Sequence, residues 1–555
     1  MGILRMRWAG LLLVVLGVVG LPGWGQVDAA KGADSAATLA YIHAGWDGLT
    51  RSMTDCHSLV DTKVTAAPVL YVPMELAVPE AVQGLAAACG VKVVKLPKRI
   101  DKLGDLMPGE LAKSGMQAGL LYLPNKYVVP GGRFNEMYGW DSYFILLGLV
   151  ADKRVELARG MVENFWFEIE HYGAVLNANR TYFLTRSQPP FLTSMMRAVY
   201  EAQGSFADGA SRRQWLEHGY ADATKDYETW LRPEHKAGTT GLARYFDYGE
   251  GPVPEMADDS TYYPDVIRWM VAHPQQSAGF LIKGAEHPDA NEIVALKRTS
   301  CDVTASEVCM RAVVEGYRLT REFYEGDRAM RESGFDTSFR FGAFSGATHH
   351  YAPVCLNSLL FRYERDMAHF AHLLGKVDDA HVWEERAKKR NAAMQRYLWS
   401  AKDGMFEDFD FARGRISSYA YVTSLYPLWA GVATREQAVQ MEAKLKTFER
   451  PGGLAMSATN SGMQWDEPYG WAPTNYLAVM GLAAYQFRED AKRIAGEFDG
   501  TVDRGFAGDG TMREKYNVES GNADVKVAIG YKSNVIGFGW TNGVYLRFAE
   551  LMGEK

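Results

Sequence analysis

Cysteine is scarce, five in 555 residues, too few for a scaffold built on disulfides. Basic excess is missing as well: 60 Lys and Arg face 67 Asp and Glu, a net charge of −7. The chain therefore lacks the electrostatic footprint that nucleic acid requires. Beyond the N-terminus no apolar run reaches the length of a membrane span. The 12 histidines show no paired spacing of the His-Glu-x-x-His kind, so no metal site is expected. Neither a Gly-rich phosphate loop nor a Gly-x-Ser-x-Gly elbow occurs, which disfavours nucleotide binding and serine-elbow hydrolases. His349-His350 is an isolated doublet, a pattern more often surface than ligand. What is present is 47% hydrophobic and 23% charged. That balance buries a sizeable core and excludes wholesale disorder. The size favours an enzyme.

The first residues form a separate object. Arg5 and Arg7 precede the apolar run from Ala9 to Val19, and Val27-Asp28-Ala29 offers small residues around a cleavage point. This pattern predicts a signal peptide over residues 1–29, a periplasmic or secreted protein, and no stable membrane insertion after cleavage. Export would permit disulfides. Cys56 with Cys89 and Cys301 with Cys309 are the candidate pairs, each alternatively two unrelated thiols, and Cys355 reads as a buried free thiol.

Residues 30–125 read as mixed, with short strands at Val69–Val72 and Val91–Leu96. From about residue 126 helical patterns dominate. In Arg154–Tyr172, apolar residues recur at three- and four-residue spacing until Gly173 stops the helix. Leu356–Leu374 repeats the pattern, and Thr434 with Gln437 makes a capping box. Further helices are expected over Phe191–Gln203, Gln214–Leu231, Asp378–Leu398, Thr474–Phe487 and Gly543–Leu551. Few linkers interrupt the series. The expected division is an extension over 30–125 packed on one large α domain over 126–555, and a ring of paired helices would gather its loops on one face.

Those loops mix Trp, Tyr and Phe with carboxylates, Arg, Asn and Gln. Aromatic rings suit the apolar faces of a sugar, and charged and amide groups suit its hydroxyls. Two are long: Pro130-Gly131-Gly132-Arg133-Phe134-Asn135-Glu136-Met137-Tyr138-Gly139-Trp140-Asp141 and Gln464-Trp465-Asp466-Glu467-Pro468-Tyr469-Gly470-Trp471. These resemble the two signature segments of the trehalases, glycoside hydrolase family 37. Arg186-Ser187-Gln188-Pro189-Pro190, Glu514-Lys515-Tyr516 and Gly537-Phe538-Gly539-Trp540-Thr541-Asn542-Gly543 are similar to further family segments in the same order.

The resemblance implies an all-α (α/α)₆ barrel, a disaccharide substrate, hydrolysis of α,α-trehalose with inversion, and no cofactor. It places the general acid on Asp336, where the family's Ser-Gly-Trp-Asp reads Ser333-Gly334-Phe335-Asp336, and the general base on Glu514. Substrate-binding roles map onto Arg133, Phe134, Trp140, Asp141, Asn177, Arg186, Gln188, Glu255, Gly334 and Trp465. Inversion requires a protonated carboxyl for the leaving oxygen and a carboxylate for water, roughly 6.5–9.5 Å apart. Burial beside Phe335 would favour protonated Asp336, and Arg513 and Lys515 would hold Glu514 ionised. Glu136 and Asp466 are rival carboxylates, and Asp141 and Asp466 are possible helix caps.

Two positions depart from the family. Its Arg-Pro-Glu reads Val253-Pro254-Glu255, and its Gly-Glu-Tyr glutamate falls on Tyr531. Both fall on the leaving-group side. They open a second expectation, an inverting α-glucosidase acting on another α-glucoside; a third is a sugar-binding barrel without catalysis.

Overall fold

The computed structural model describes residues 24–60, 68–113, 115–257, 259–277 and 279–553. Most of the expected signal segment, residues 1–23, lies outside them. The expected cleavage point after Ala29 falls inside a continuous helix, Trp24–Leu49. No helix among the described residues is long and apolar enough to cross a membrane.

Six helices form a closed inner ring. Asp141–Ala151 packs on Leu192–Glu201, then Val354–Leu374, Tyr426–Ala430, Ala472–Ala484 and Gly539–Met552 follow, and the last closes against the first. Four are backed by the outer helix that follows them, Val155–Tyr172, Gly209–Thr229, Val377–Tyr397 and Arg488–Asp509, and Arg435–Glu442 follows Tyr426–Ala430 in the same alternation. The sixth outer position belongs to Trp24–Leu49, which packs on Arg488–Asp509 and Gly539–Met552. The architecture is an (α/α)₆ barrel.

The two rings differ as their sequences dictate. Val377–Tyr397 buries Ala380, Trp383, Ala387, Arg390 and Met394, one stripe at three- and four-residue spacing. Asp141–Ala151 is buried from its first residue to Leu149. A helix enclosed on all sides has no polar face and hence no period, so the sequence pattern did not reveal it. Arg488–Asp509 and Arg321–Glu332 were likewise unexpected. The expected helices are present within a few residues of their expected ends, and the capping box at Thr434 forms.

Gly539–Met552 and Asp141–Ala151 touch through glycine. A Cβ on Gly543 would lie 2.0 Å from the Phe144 carbonyl oxygen. Backbone cannot step aside as a flexible side chain can, so Gly543→Ala should destabilise the barrel by about 3 kcal/mol, the upper range for overpacking. Denaturant melting checks this; a midpoint within error of wild type would contradict it.

N-terminal to the barrel's inner ring, Val69–Val72 sits between Lys92–Lys95 and Leu120–Leu121 in a parallel three-stranded sheet. Cys56–Cys89 and Cys301–Cys309 are bonded, and Cys355 is buried and free.

Inner-to-outer connections are short, for example residues 152–154 and 375–376. Outer-to-inner connections are long, and every aromatic-rich loop singled out from the sequence is one of them. The ring thus delivers these loops to a single face, at the N-terminal ends of the inner helices.

Candidate active site

That face holds a cavity of about 220 Å³. Arg133, Phe134, Trp140, Asp141, Asn177, Arg186, Gln188, Glu255, Gly334, Asp336, Trp465 and Glu514 all line it. Residues up to 381 positions apart in sequence, from Arg133 to Glu514, are thereby brought together.

The floor is aromatic. Trp140 packs on Phe335, Trp465 and Trp540 with centroids 5.5, 5.9 and 5.7 Å away, and Trp465 stacks on Trp471 at 3.7 Å. Gly334 has φ +76°, and a Cβ there would lie 3.0 Å from the Trp140 ring. Both the left-handed backbone and the close approach demand glycine. Gln188 Oε1 accepts from the Trp140 backbone N–H at 2.9 Å, which fixes its amide orientation. Phe134 stands at the wall, with the exposed Arg133 guanidinium 4.9 Å from its ring centroid.

Four carboxyl groups line the space, Asp141, Glu255, Asp336 and Glu514. Asp336 is a quarter exposed, and its Oδ2 lies 3.7 Å from Arg331 Nη1. Burial pushes its carboxyl up to about 6, against the lowering effects of Arg331, Arg186 and a hydrogen bond from Tyr531. Gln464 Nε2 donates to the Asp336 carbonyl. Asp141, the first residue of its helix, makes no cap. Burial raises its carboxyl well above the ordinary range, its own backbone N–H opposes this, and Glu514 and Asp336 raise it further. Glu514 Oε2 pairs with Lys515 Nζ at 2.7 Å, and the same ammonium donates to the Ser533 carbonyl at 3.1 Å. Arg513, expected to share this role, instead pairs with Asp509.

A chain of charges closes the other side. Arg186 bonds Glu255 and lies 3.5 Å from Asp247. Burial alone would lower the guanidinium's pKa, but Glu255 and Asp247 hold it above its usual value. Burial alone would raise Glu255, yet Arg186 and Arg331 hold it below the usual range. Arg186 Nε, Glu255 Oε2 and Gln464 Oε1 are buried without a hydrogen-bond partner, a cost of about 1–3 kcal/mol per group that a polyhydroxylated ligand can offset.

Sequence reasoning singled out the loops that carry Tyr138, Gln464, Trp471, Phe538 and Trp540 but gave these residues no role, and it missed Arg331, Tyr182 and Phe183 as lining residues. Arg331 is the consequential omission. Its fork holds Asp327 at 3.3 and 3.4 Å, and Nη1 donates to Tyr531 Oη at 2.7 Å. Val253, where the family carries Arg, is fully buried among apolar residues. A cation nevertheless reaches the cavity, from a helix in place of the loop. The rival carboxylates are engaged elsewhere. Glu136 pairs with Arg180 at 2.7 Å, and Asp466 accepts from Phe339 N and Tyr419 Oη at 2.7 and 2.8 Å; neither lines the cavity.

The family model described as Trehalase matches residues 74–553. A probable trehalase of Eremothecium gossypii is 34% identical, the match covering 92% of this chain and 72% of that protein. The cytosolic neutral trehalase of Beauveria bassiana is 34% identical over 76% of this chain and 57% of its own length, and that of Saccharomyces cerevisiae 33% over 90% and 69%. The chain thus spans between 57% and 72% of the length of these relatives. Among solved structures, neutral trehalase Nth1 from Saccharomyces cerevisiae superposes with a TM-score of 0.75 at 31% identity, covering 94% of each chain.

These relatives correct one expectation. Those with a compartment in their names are cytosolic, which overturns the periplasmic or secreted location, and with it the signal-peptide reading of residues 1–29. A charged start followed by a short apolar run is a pattern of composition alone and does not by itself fix a compartment. The barrel's packing and chemistry do not depend on it, so it was a poor guide to where such an enzyme works.

Proposed function

Because the chain belongs to the trehalase family, we propose that it hydrolyses α,α-trehalose to two glucose molecules with inversion. The observation that carries this reading is the meeting of Asp336 and Glu514 in one aromatic-floored cavity rimmed by Arg186, Glu255 and Arg331. Trp140 and Trp465 offer faces for the apolar side of a pyranose. Arg186, Glu255, Gln188 and Asn177 offer donors and acceptors for its hydroxyls. Asp141, whose carboxyl burial pushes upward, faces the same space and can hydrogen-bond a hydroxyl of the cleaved sugar.

Asp336 acts as the general acid. Its raised pKa keeps a proton available for the glycosidic oxygen as the bond breaks. Glu514 acts as the general base: Lys515 engages one oxygen, and the other takes the proton of the water that attacks the anomeric carbon from the opposite face. Charge on the departing glucose disappears as Asp336 gives up its proton, and the incoming hydroxyl leaves the anomer inverted.

The pH dependence follows with a definite sign. A general acid works only while protonated, so kcat/KM for the free enzyme falls as pH rises through about 6, the value of Asp336. The Tyr531 hydrogen bond favours the ionised form. Tyr531→Phe should therefore move this basic limb to higher pH and leave the acidic limb in place. An unmoved basic limb would remove Tyr531 from contact with the acid.

Tyr531 in the cavity also favours a second reading, in which the leaving-side pocket accepts another α-glucoside. Initial rates with trehalose, kojibiose, nigerose, maltose and isomaltose separate the two. We expect trehalose to be preferred, because Arg331 supplies the charged donor that Val253 does not. A clear preference for another disaccharide would favour the second reading, and no glucose from any of the five would leave only a binding barrel.

A further inference from the structure

Away from the sugar cavity, three side chains converge whose chemistry the hydrolytic reaction does not use. Glu322 lies in the first turn of Arg321–Glu332, and His349 and His350 occupy the short turn Thr348–His350 packed beside it. Both imidazole Nε2 atoms stand 3.1 Å from the same carboxylate oxygen, Glu322 Oε1, and the three ligating atoms lie within 4.8 Å of one another. Ligands at zinc-bond lengths in a tetrahedron are about 3.3 Å apart, close to the 3.1 Å from each Nε2 to the shared carboxylate oxygen.

The main chain around the doublet is held on several sides. Arg244 Nη1 donates to the His349 carbonyl at 2.7 Å, Phe411 N–H donates to the His350 carbonyl at 3.1 Å, and His350 N–H donates to the Ala347 carbonyl at 2.9 Å. The next residue, Tyr351, pairs with Asp410 in a small antiparallel sheet. The fold therefore sets the backbone of both rings before any ion arrives. His349 Nδ1 has no hydrogen-bond partner, so nothing on the far side of that ring dictates which nitrogen carries the proton. Exposure is graded across the cluster: His349 is buried, His350 partly open and Glu322 the most accessible. One side is thus open for entry and for a water ligand.

We propose that Glu322, His349 and His350 form a binding site for a late first-row divalent cation, zinc above all. Two imidazoles and one carboxylate suit Zn²⁺, Ni²⁺ or Co²⁺, whereas Mg²⁺ and Ca²⁺ favour all-oxygen sets. Glu322 and Arg331 share one helix, nine residues and about 14 Å apart along its axis, so the ion sits outside the sugar cavity. It clamps the start of the helix whose far end carries Arg331 and leads to Asp336. Its effect is on the stability of that helix against the Thr348–His350 turn.

The test is isothermal titration of the metal-stripped full-length chain with ZnCl₂ near pH 7.5, in parallel with thermal melting with and without zinc. The expected result is one tightly bound ion per chain and a melting temperature raised by zinc. Glu322→Gln and His350→Ala should each weaken binding about tenfold or more while keeping wild-type trehalose turnover without metal. Titration with Co²⁺ should give the intense visible bands of a tetrahedral site, lost in both variants. A second cluster, Glu170 with His218 and Asp222, supplies the control. If zinc fails to bind, or if His218→Ala abolishes binding while Glu322→Gln and His350→Ala leave it intact, the proposal is overturned.

Discussion

Asp336→Asn and Glu514→Gln are each expected to lower kcat for trehalose by about 10²- to 10⁴-fold, the range for losing a positioned acid or base. Both substitutions nearly conserve side-chain volume and remove no apolar contact, although Glu514→Gln neutralises the partner of buried Lys515. The melting temperature of Asp336→Asn should stay near wild type, and that of Glu514→Gln should fall modestly because the buried Lys515 ammonium loses its charged partner. The kcat loss at temperatures below both melting points therefore reads out chemistry. Asp336 has no substitute, because Asp141, the other carboxyl raised by burial, is fixed at the first turn of its own helix. Glu514 has none either, since the rivals Glu136 and Asp466 are engaged away from the cavity. Glu136→Gln should accordingly act on stability, by leaving Arg180 without its buried partner, and only weakly on kcat. If Asp336→Asn or Glu514→Gln keeps more than about a tenth of wild-type kcat, that residue does not have the role assigned to it.

Arg331→Met should be the next most damaging change. The guanidinium is buried and serves three partners, Asp327, Tyr531 and Asp336. A charge-assisted hydrogen bond is worth about 1.5–3 kcal/mol, so losing it toward substrate should lower kcat/KM by about 10- to 150-fold. Removing a cation 3.7 Å from Asp336 also favours the protonated acid, and the basic limb of the pH profile should move upward, as in Tyr531→Phe. That shift is the diagnostic part. A variant that has merely lost structure would lose activity at every pH without moving the limb. Arg331→Lys, which keeps the charge but not the fork, should restore the limb while leaving kcat/KM reduced.

The contrast between Arg331 and Arg186 shows what the sequence can carry. Arg186 sits in Arg-Ser-Gln-Pro-Pro, a loop whose composition makes no sense as a plain connector, and so it was legible. Arg331 lies in Arg321–Glu332, a helix whose face of Arg, Glu and Asp the sequence pattern did not single out. Only the packing of that helix under the cavity turns the face inward. Outer-ring helices such as Val377–Tyr397 were legible because one side meets water. Asp141–Ala151 and the contribution of Trp24–Leu49 to the outer ring were not, since the first has no polar side and the second depends on a contact with residues more than 400 positions away. Neighbours in sequence misled at Arg513, which turns to Asp509 and leaves Lys515 to pair with Glu514.

We propose that Asp336 and Glu514 divide acid and base roles across one glycosidic bond of trehalose. Proton NMR of the first products, recorded faster than glucose mutarotates, tests it most directly. Inversion converts the cleaved α-glucosyl unit to β-glucose while the departing unit leaves as α-glucose. Inverting hydrolysis should therefore give α and β anomers in equal amounts at early times. Early product that is α-glucose alone would mean retention through a covalent intermediate, and would contradict the assignment of Asp336 as acid and Glu514 as base.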